Sequence, residues 1–199
     1  MSAPFELAHK FTAVSEGGFV NDKRDPGGAT QYGVSLRFLR SIGKDIDDDG
    51  DIDIDDIRAI TAADAEDIFQ QEFWGALHLD QFPTLTAIAM YDCAVNAGIV
   101  RASKCLQEAL NFYPGEVIRV DGDIGPKTKA RLRKIAQQGD CALAMRCVRS
   151  RRAFYVRLIV SKPDLACFRK GWINRCSNLE TYLKAVSTQA GDPKEDCGA

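Results

Sequence analysis

The sequence predicts a mainly α protein, a helical bundle with a small β-hairpin insert near the N-terminus. Three observations predict it. Apolar residues recur at helical spacing over most of the chain. Residues 17–34 are instead rich in Gly, Asp and Asn with short apolar alternation, which suits a hairpin or turn region. The composition of the 199 residues, 45% hydrophobic and 27% charged, supports one sizeable core or two small lobes and excludes a disordered chain, a collagen and a coiled coil.

The elements follow in order. Phe5, Leu7, Ala8, Phe11 and Val14 mark a first helix, with Pro4 near its start and Gly17-Gly18 as its stop. Ser35 caps a short helix through Leu39. Thr61-Ala62-Ala63-Asp64 is a capping-box start for a helix to about Trp74. Pro83-Thr84 opens a helix through Ala94, broken at Asn96-Ala97-Gly98, and two more are expected over 100–110 and 126–138. Gly139-Asp140 begins a long helix to about Val160, and Asp164 caps a last one to about Val186, bent at Gly171. The tail 187–199 is expected to be loose.

The net charge of −2 hides an asymmetry. Residues 1–100 carry 7 basic against 18 acidic side chains, and residues 101–199 carry 19 against 10. The basic half, with Arg146, Arg149, Arg151, Arg152 and Arg157 on one helix, suits either a solvated face or contact with anionic envelope components. Nucleic acid is not an expected partner, and the chain is expected to act as a monomer. MSAPFELAHKF has no basic segment leading into an apolar one, so a host-cytoplasmic start followed by release to the periplasm and cell wall is expected. Cys93, Cys105, Cys141, Cys147, Cys167 and Cys176 fall in apolar helical patterns and are expected to be reduced core thiols, with Cys197 in the tail. Trp74 and Trp172 are likewise expected in the core.

Residues 16–35 read EGGFVNDKRDPGGATQYGVS. Glycosidic cleavage needs a protonated carboxyl for the leaving oxygen and a second group to stabilise the oxocarbenium-like transition state or activate water. A Glu at a helix end can hold its proton near neutral pH, whereas an Asp in a wet loop stays ionised. Glu16, Asp25 and Thr30 offer those three functions, acid, carboxylate and water-holding hydroxyl, though on spacing alone a capped helix followed by a structural turn is the better reading.

The whole string resembles the N-terminal signature of glycoside hydrolase family 108 muramidases, found in phage endolysins and secretion-associated lysozymes. It matches ungapped at Glu16, Gly17, Gly18, Phe19, Asn21, Asp22, Asp25, Gly27, Gly28, Thr30, Tyr32, Gly33, Val34 and Ser35. The resemblance continues through TAADAEDIFQQEFW, AMYDCAVNAG, RASKCLQEAL, VDGDIGPKTKARL and FRKGWINRCSNL, and so covers about residues 5–185. It implies an α+β lysozyme-like fold, with Glu16 as general acid, Asp25 for charge stabilisation and Thr30 for water positioning. In the wider phage-lysozyme class the Asp also follows the Glu by nine residues, whereas the step from Asp25 to Thr30 is one residue shorter than is common there. Tyr32 and Asn96 are candidates either to line the sugar cleft or to serve as packing and turn contacts. The implied organisation is a catalytic lobe over 1–88, a peptidoglycan-binding-like helical region over 89–186 and a flexible tail over 187–199.

One stretch departs from the family pattern. In KDIDDDGDIDIDDIRAI, Asp45, Asp47 and Asp49 occupy positions 1, 3 and 5 of a calcium loop. Gly50 takes the sharp-turn position, Asp51 the backbone-carbonyl position 7, Asp53 position 9 and Asp56 position 12 of this insert, 45–56. It resembles EF-hand and dockerin-type loops. Ca²⁺ is therefore expected as a structural or regulatory ion, with none needed for the chemistry, and ionic repulsion makes a bare acidic linker the poorer reading. The functional expectation is an N-acetylmuramidase acting on the β-1,4 bond of bacterial peptidoglycan. The alternatives are a lytic transglycosylase using the same Glu16 and a non-catalytic wall-binding module.

Overall fold

The computed structural model describes residues 3–13, 19–20 and 28–190. The chain divides into two units, one of residues 9–72 and the other of residues 1–8 with 73–199. Helix α1 (Ala3–Ala13) runs across the first boundary, and its expected stop at Gly17-Gly18 lies outside the described residues.

The unit 9–72 holds the hairpin. Strands β1 (Thr30–Gln31) and β2 (Val34–Ser35) pair antiparallel, with Thr30 opposite Ser35 and Gln31 opposite Val34. The two-residue turn Tyr32-Gly33 has positive φ at both positions, 46° and 79°, so its backbone twist matches that of the strands. Ser35 then caps α2 (Leu36–Ile42), its hydroxyl accepting from the Phe38 amide at 3.2 Å. Helix α3 (Ile54–Ala59) was not legible as helix in the sequence. It is short and very acidic, and a reciprocal capping box between Asp53 and Asp56 starts it. Thr61 and Asp64 form the expected second box on α4 (Ala62–Phe69), which passes into a π-helical turn over Gln70–Gly75. Val34, Leu39, Ile57, Ile60, Ile68 and Phe69 are buried here.

The other unit is built around α5 (Thr84–Ala97), where every residue from Leu85 to Ala94 is buried. A helix apolar on all sides must be enclosed, and α5 packs against α6 (Ile99–Asn111), α8 (Asp140–Ser161) and α9 (Arg169–Ala190). No side chain of its own caps α5. Asp140, more than fifty residues away, accepts from the amides of Leu85 at 2.7 Å and Thr86 at 3.0 Å. Phe5, Trp74 and Tyr91 meet edge to face at 5.6–5.9 Å, which places Trp74 in the core as expected. Between α6 and α7 (Pro126–Ala136), Gln107, Asn111 and Arg131 hold the loop backbone through their polar atoms. Gly122 (φ +92°) sits there so close to Val100 that a Cβ would lie 2.9 Å from its Cγ1.

The mainly α fold with one small hairpin is the architecture that the sequence predicted. Three expectations need correction. Residues 163–168 form a 3-10 segment, so the last α-helix starts at Arg169 and the change of geometry precedes Gly171. Cys141 is disulfide-bonded rather than a reduced thiol. Cys167, on the 3-10 segment, is exposed, and Trp172, in the first turn of α9, is half-buried against Tyr155 and Phe168, so neither is a core residue. Among the described residues, no helix is long and apolar enough to cross a membrane.

Candidate functional site

Glu16 and Asp25 lie outside the described residues, so the geometry available to the candidate site is that of its frame. Thr30 opens β1. Its backbone exchanges two 2.8 Å hydrogen bonds with Val20, and its hydroxyl donates weakly to the Gly28 carbonyl at 3.4 Å. Tyr32 is 40% exposed at the hairpin tip and is held in the left-handed region, which a bulky residue rarely adopts. Gln31 ties the hairpin down by donating to the Ile60 carbonyl at 2.6 Å. Beside it lies a cavity of about 90 Å³ lined by His9, Thr12, Tyr32, Ala65 and Phe69 among others. Burial holds the His9 imidazole below its ordinary 6.5, against the pull of Glu66, so His9 is neutral at physiological pH.

The acidic insert folds on itself. Asp45 accepts from the amides of Asp48 at 2.7 Å and Gly50 at 2.9 Å, with Gly50 at φ +99° in the turn. Oxygens of Asp45, Asp47 and Asp49 lie within 4.8 Å of one another, as do those of Asp51, Asp53 and Asp56. Local desolvation and the Asp49 carboxylate push Asp47 up, and repulsion from Asp49 does the same to Asp51. Asp56 is buried. Its desolvation is outweighed by amide donors, Ile46 and Asp53 each at 2.6 Å, which hold its carboxyl below the usual range. A crowded, all-carboxylate donor set whose members repel one another fits a hard, oxygen-seeking dication such as Ca²⁺.

Asn96 stands in the last turn of α5 and is exposed. Its Oδ1 accepts from the Tyr155 hydroxyl, which in turn accepts from Arg151 Nε at 3.0 Å. Arg151 pairs with Asp92, and Asp92 also takes Arg175 through Nη2 at 2.7 Å and Nε at 3.0 Å. Sequence reasoning missed this cluster. Its one signal was Asp92 alone within an apolar helix, a buried charge that demands partners. The basic helix is accordingly less free than its sequence suggests. Arg151 is buried, Arg152 pairs with Glu180 at 2.9 Å and Arg157 reaches Glu108 at 3.4 Å. Arg146 lies over the Phe112 ring, 3.3 Å from its centroid.

A mainly α fold with a short hairpin carrying a Gly-framed polar loop defines a lysozyme-like protein. Residues 9–98 match the model of the glycosyl hydrolase 108 family, and residues 101–177 match that of a predicted peptidoglycan domain. Residues 9–98 thus carry a glycosyl hydrolase 108 domain, which makes the protein a glycoside hydrolase of the kind that acts on peptidoglycan. It is similar to the solved structure of Brucella abortus SagA, with a TM-score of 0.69 and 28% identity over 91% of this chain and 94% of that one. No curated protein matches it.

Proposed function

We propose that the protein is an endolysin-type N-acetylmuramidase that hydrolyses the β-1,4 bond between N-acetylmuramic acid and N-acetylglucosamine. The observation that carries this reading is the ungapped Glu16–Ser35 motif within the family match over residues 9–98. Glu16 donates its proton to the departing glycosidic oxygen. Asp25 stabilises the developing positive charge at the anomeric carbon, and Thr30 holds the attacking water. Tyr32 and Asn96 contact the sugars. The domain over 101–177 keeps the enzyme on its polymeric substrate.

Asp45, Asp47, Asp49, Asp56 and the Asp51 carbonyl hold Ca²⁺, which orders the insert and takes no part in bond cleavage. The enzyme reaches the wall from the host cytoplasm once the membrane is permeabilised. A disulfide at Cys141 suits an oxidising compartment and so supports action on the wall side.

Mass spectrometry of digested peptidoglycan tests the reading. Reducing muramic ends are expected, whereas 1,6-anhydro ends identify a transglycosylase and no cleavage a binding module. Glu16→Gln should lower the rate ~10²–10⁴-fold with the fold intact, since it keeps the shape and removes the transferable proton. Near-wild-type activity in that variant would refute the assignment.

A further inference from the structure

The buried cluster of the unit built on α5 has a direction. A carboxylate only accepts and a guanidinium only donates, so Asp92 fixes Arg151 and Arg175, and Arg151 Nε must give its proton to the Tyr155 oxygen. Tyr155 has one proton of its own. With its oxygen already accepting from Arg151, that proton goes to Asn96 Oδ1. Burial pushes the Tyr155 hydroxyl up to about 12, so the proton stays in place at any physiological pH. The Asn96 amide is therefore held in one of its two orientations, with Oδ1 turned inward and Nδ2 presented outward as a donor.

Nothing in this arrangement is optimised for stability. Buried ion pairs roughly break even against apolar packing, and Arg151 Nη2 is buried with no hydrogen-bond partner. Asp92 and Arg151 are enclosed and Arg175 is largely covered, while the exposed end is a neutral donor. A hydroxyl ligand, which both donates and accepts, would be served by either amide orientation. A pure acceptor needs the orientation fixed. Among the neutral pure acceptors repeated along a peptidoglycan glycan, which are the ring and glycosidic oxygens and the acetamido carbonyl, the amide carbonyl is the strongest.

We propose that Asn96 Nδ2 donates to the carbonyl of a 2-acetamido sugar, with Tyr155, Arg151, Asp92 and Arg175 as the positioning residues that fix its amide. The ligand class rests on the peptidoglycan reading above. Tyr155→Phe keeps the ring that stacks on Trp172 at 4.7 Å and removes the hydroxyl, which both orients Asn96 and accepts from Arg151 Nε.

The test is co-sedimentation with insoluble peptidoglycan in the Glu16→Gln background, using native, chemically de-N-acetylated and re-N-acetylated preparations. The parent should bind the two acetylated preparations several-fold more tightly than the deacetylated one. Asn96→Ala and Tyr155→Phe should each remove most of that preference, as expected for one lost hydrogen bond. The double variant should do no worse than Asn96→Ala. Asn96→Asp, an exposed change that presents an acceptor in place of the donor, should abolish the preference. Equal weakening on all three preparations, additive effects in the double variant, or preference retained by Asn96→Asp would each overturn the proposal. Soluble products from the wild-type enzyme are scored separately. Acetyl-dependent binding without product release removes the hydrolase reading and leaves this inference standing; product release without acetyl preference removes this inference alone.

Discussion

Asp92→Asn isolates the electrostatic centre of the helical unit. The carboxylate is fully buried, and it is the shared anion of Arg151, 1% exposed, and Arg175, 15% exposed. Burial by itself would push its carboxyl up, but the two guanidiniums overrule it and hold it below the usual carboxylate range. The amide keeps the shape, removes the charge, and points an N–H₂ group at donors. Breaking a buried pair from one side costs about 3–5 kcal/mol, because the remaining charge is stranded. For a chain of this size that corresponds to a Tm lower by roughly 6–20 °C. Urea denaturation followed by circular dichroism measures it, and an unchanged slope would show that the folded state stays compact. Replacing the whole triad at once, Asp92→Leu with Arg151→Met and Arg175→Met, should recover most of the loss, since no charge is then left unpaired. A loss below about 1 kcal/mol for Asp92→Asn would refute the account. So would a triple variant no more stable than the single one.

Three further outcomes are expected. Asp140→Ala leaves the buried Leu85 and Thr86 amides without their acceptor and should cost about 2–4 kcal/mol in the same denaturation assay, with Asp140→Asn milder. His9 has a depressed folded pKa, so the unfolded chain binds more protons and stability should fall as pH drops through ~6.5; His9→Gln should flatten that slope in thermal melts between pH ~7 and ~5. Stripping calcium with EDTA should lower Tm by roughly 5–10 °C relative to a hundredfold excess over Kd, and Asp45→Ala with Asp49→Ala should mimic it. An unchanged melt on stripping would reduce the insert to a bystander.

The sequence by itself determined what depends on local spacing. Helical periodicity gave most of the α-helices, and Ser35 and Thr61 marked two starts through side chains that cap amides three residues on. A hairpin or turn region within 17–34 and the Glu16–Ser35 motif were legible because chemistry and backbone demand are written contiguously there, whereas the position of the turn at Tyr32-Gly33 was not. The carboxylate spacing of the insert was legible for the same reason, although the helix that closes it was not. Only the tertiary structure decided which polar groups meet across distance. Asp140 caps a helix more than fifty residues away, and Arg151, Arg175 and Tyr155 converge on a single Asp and a single Asn. A basic stripe in sequence cannot reveal that one of its arginines, Arg151, is enclosed. That depends on which face of α8 turns toward α5, and partner choice for a buried charge is settled by packing, where an unpaired ion is too costly to tolerate.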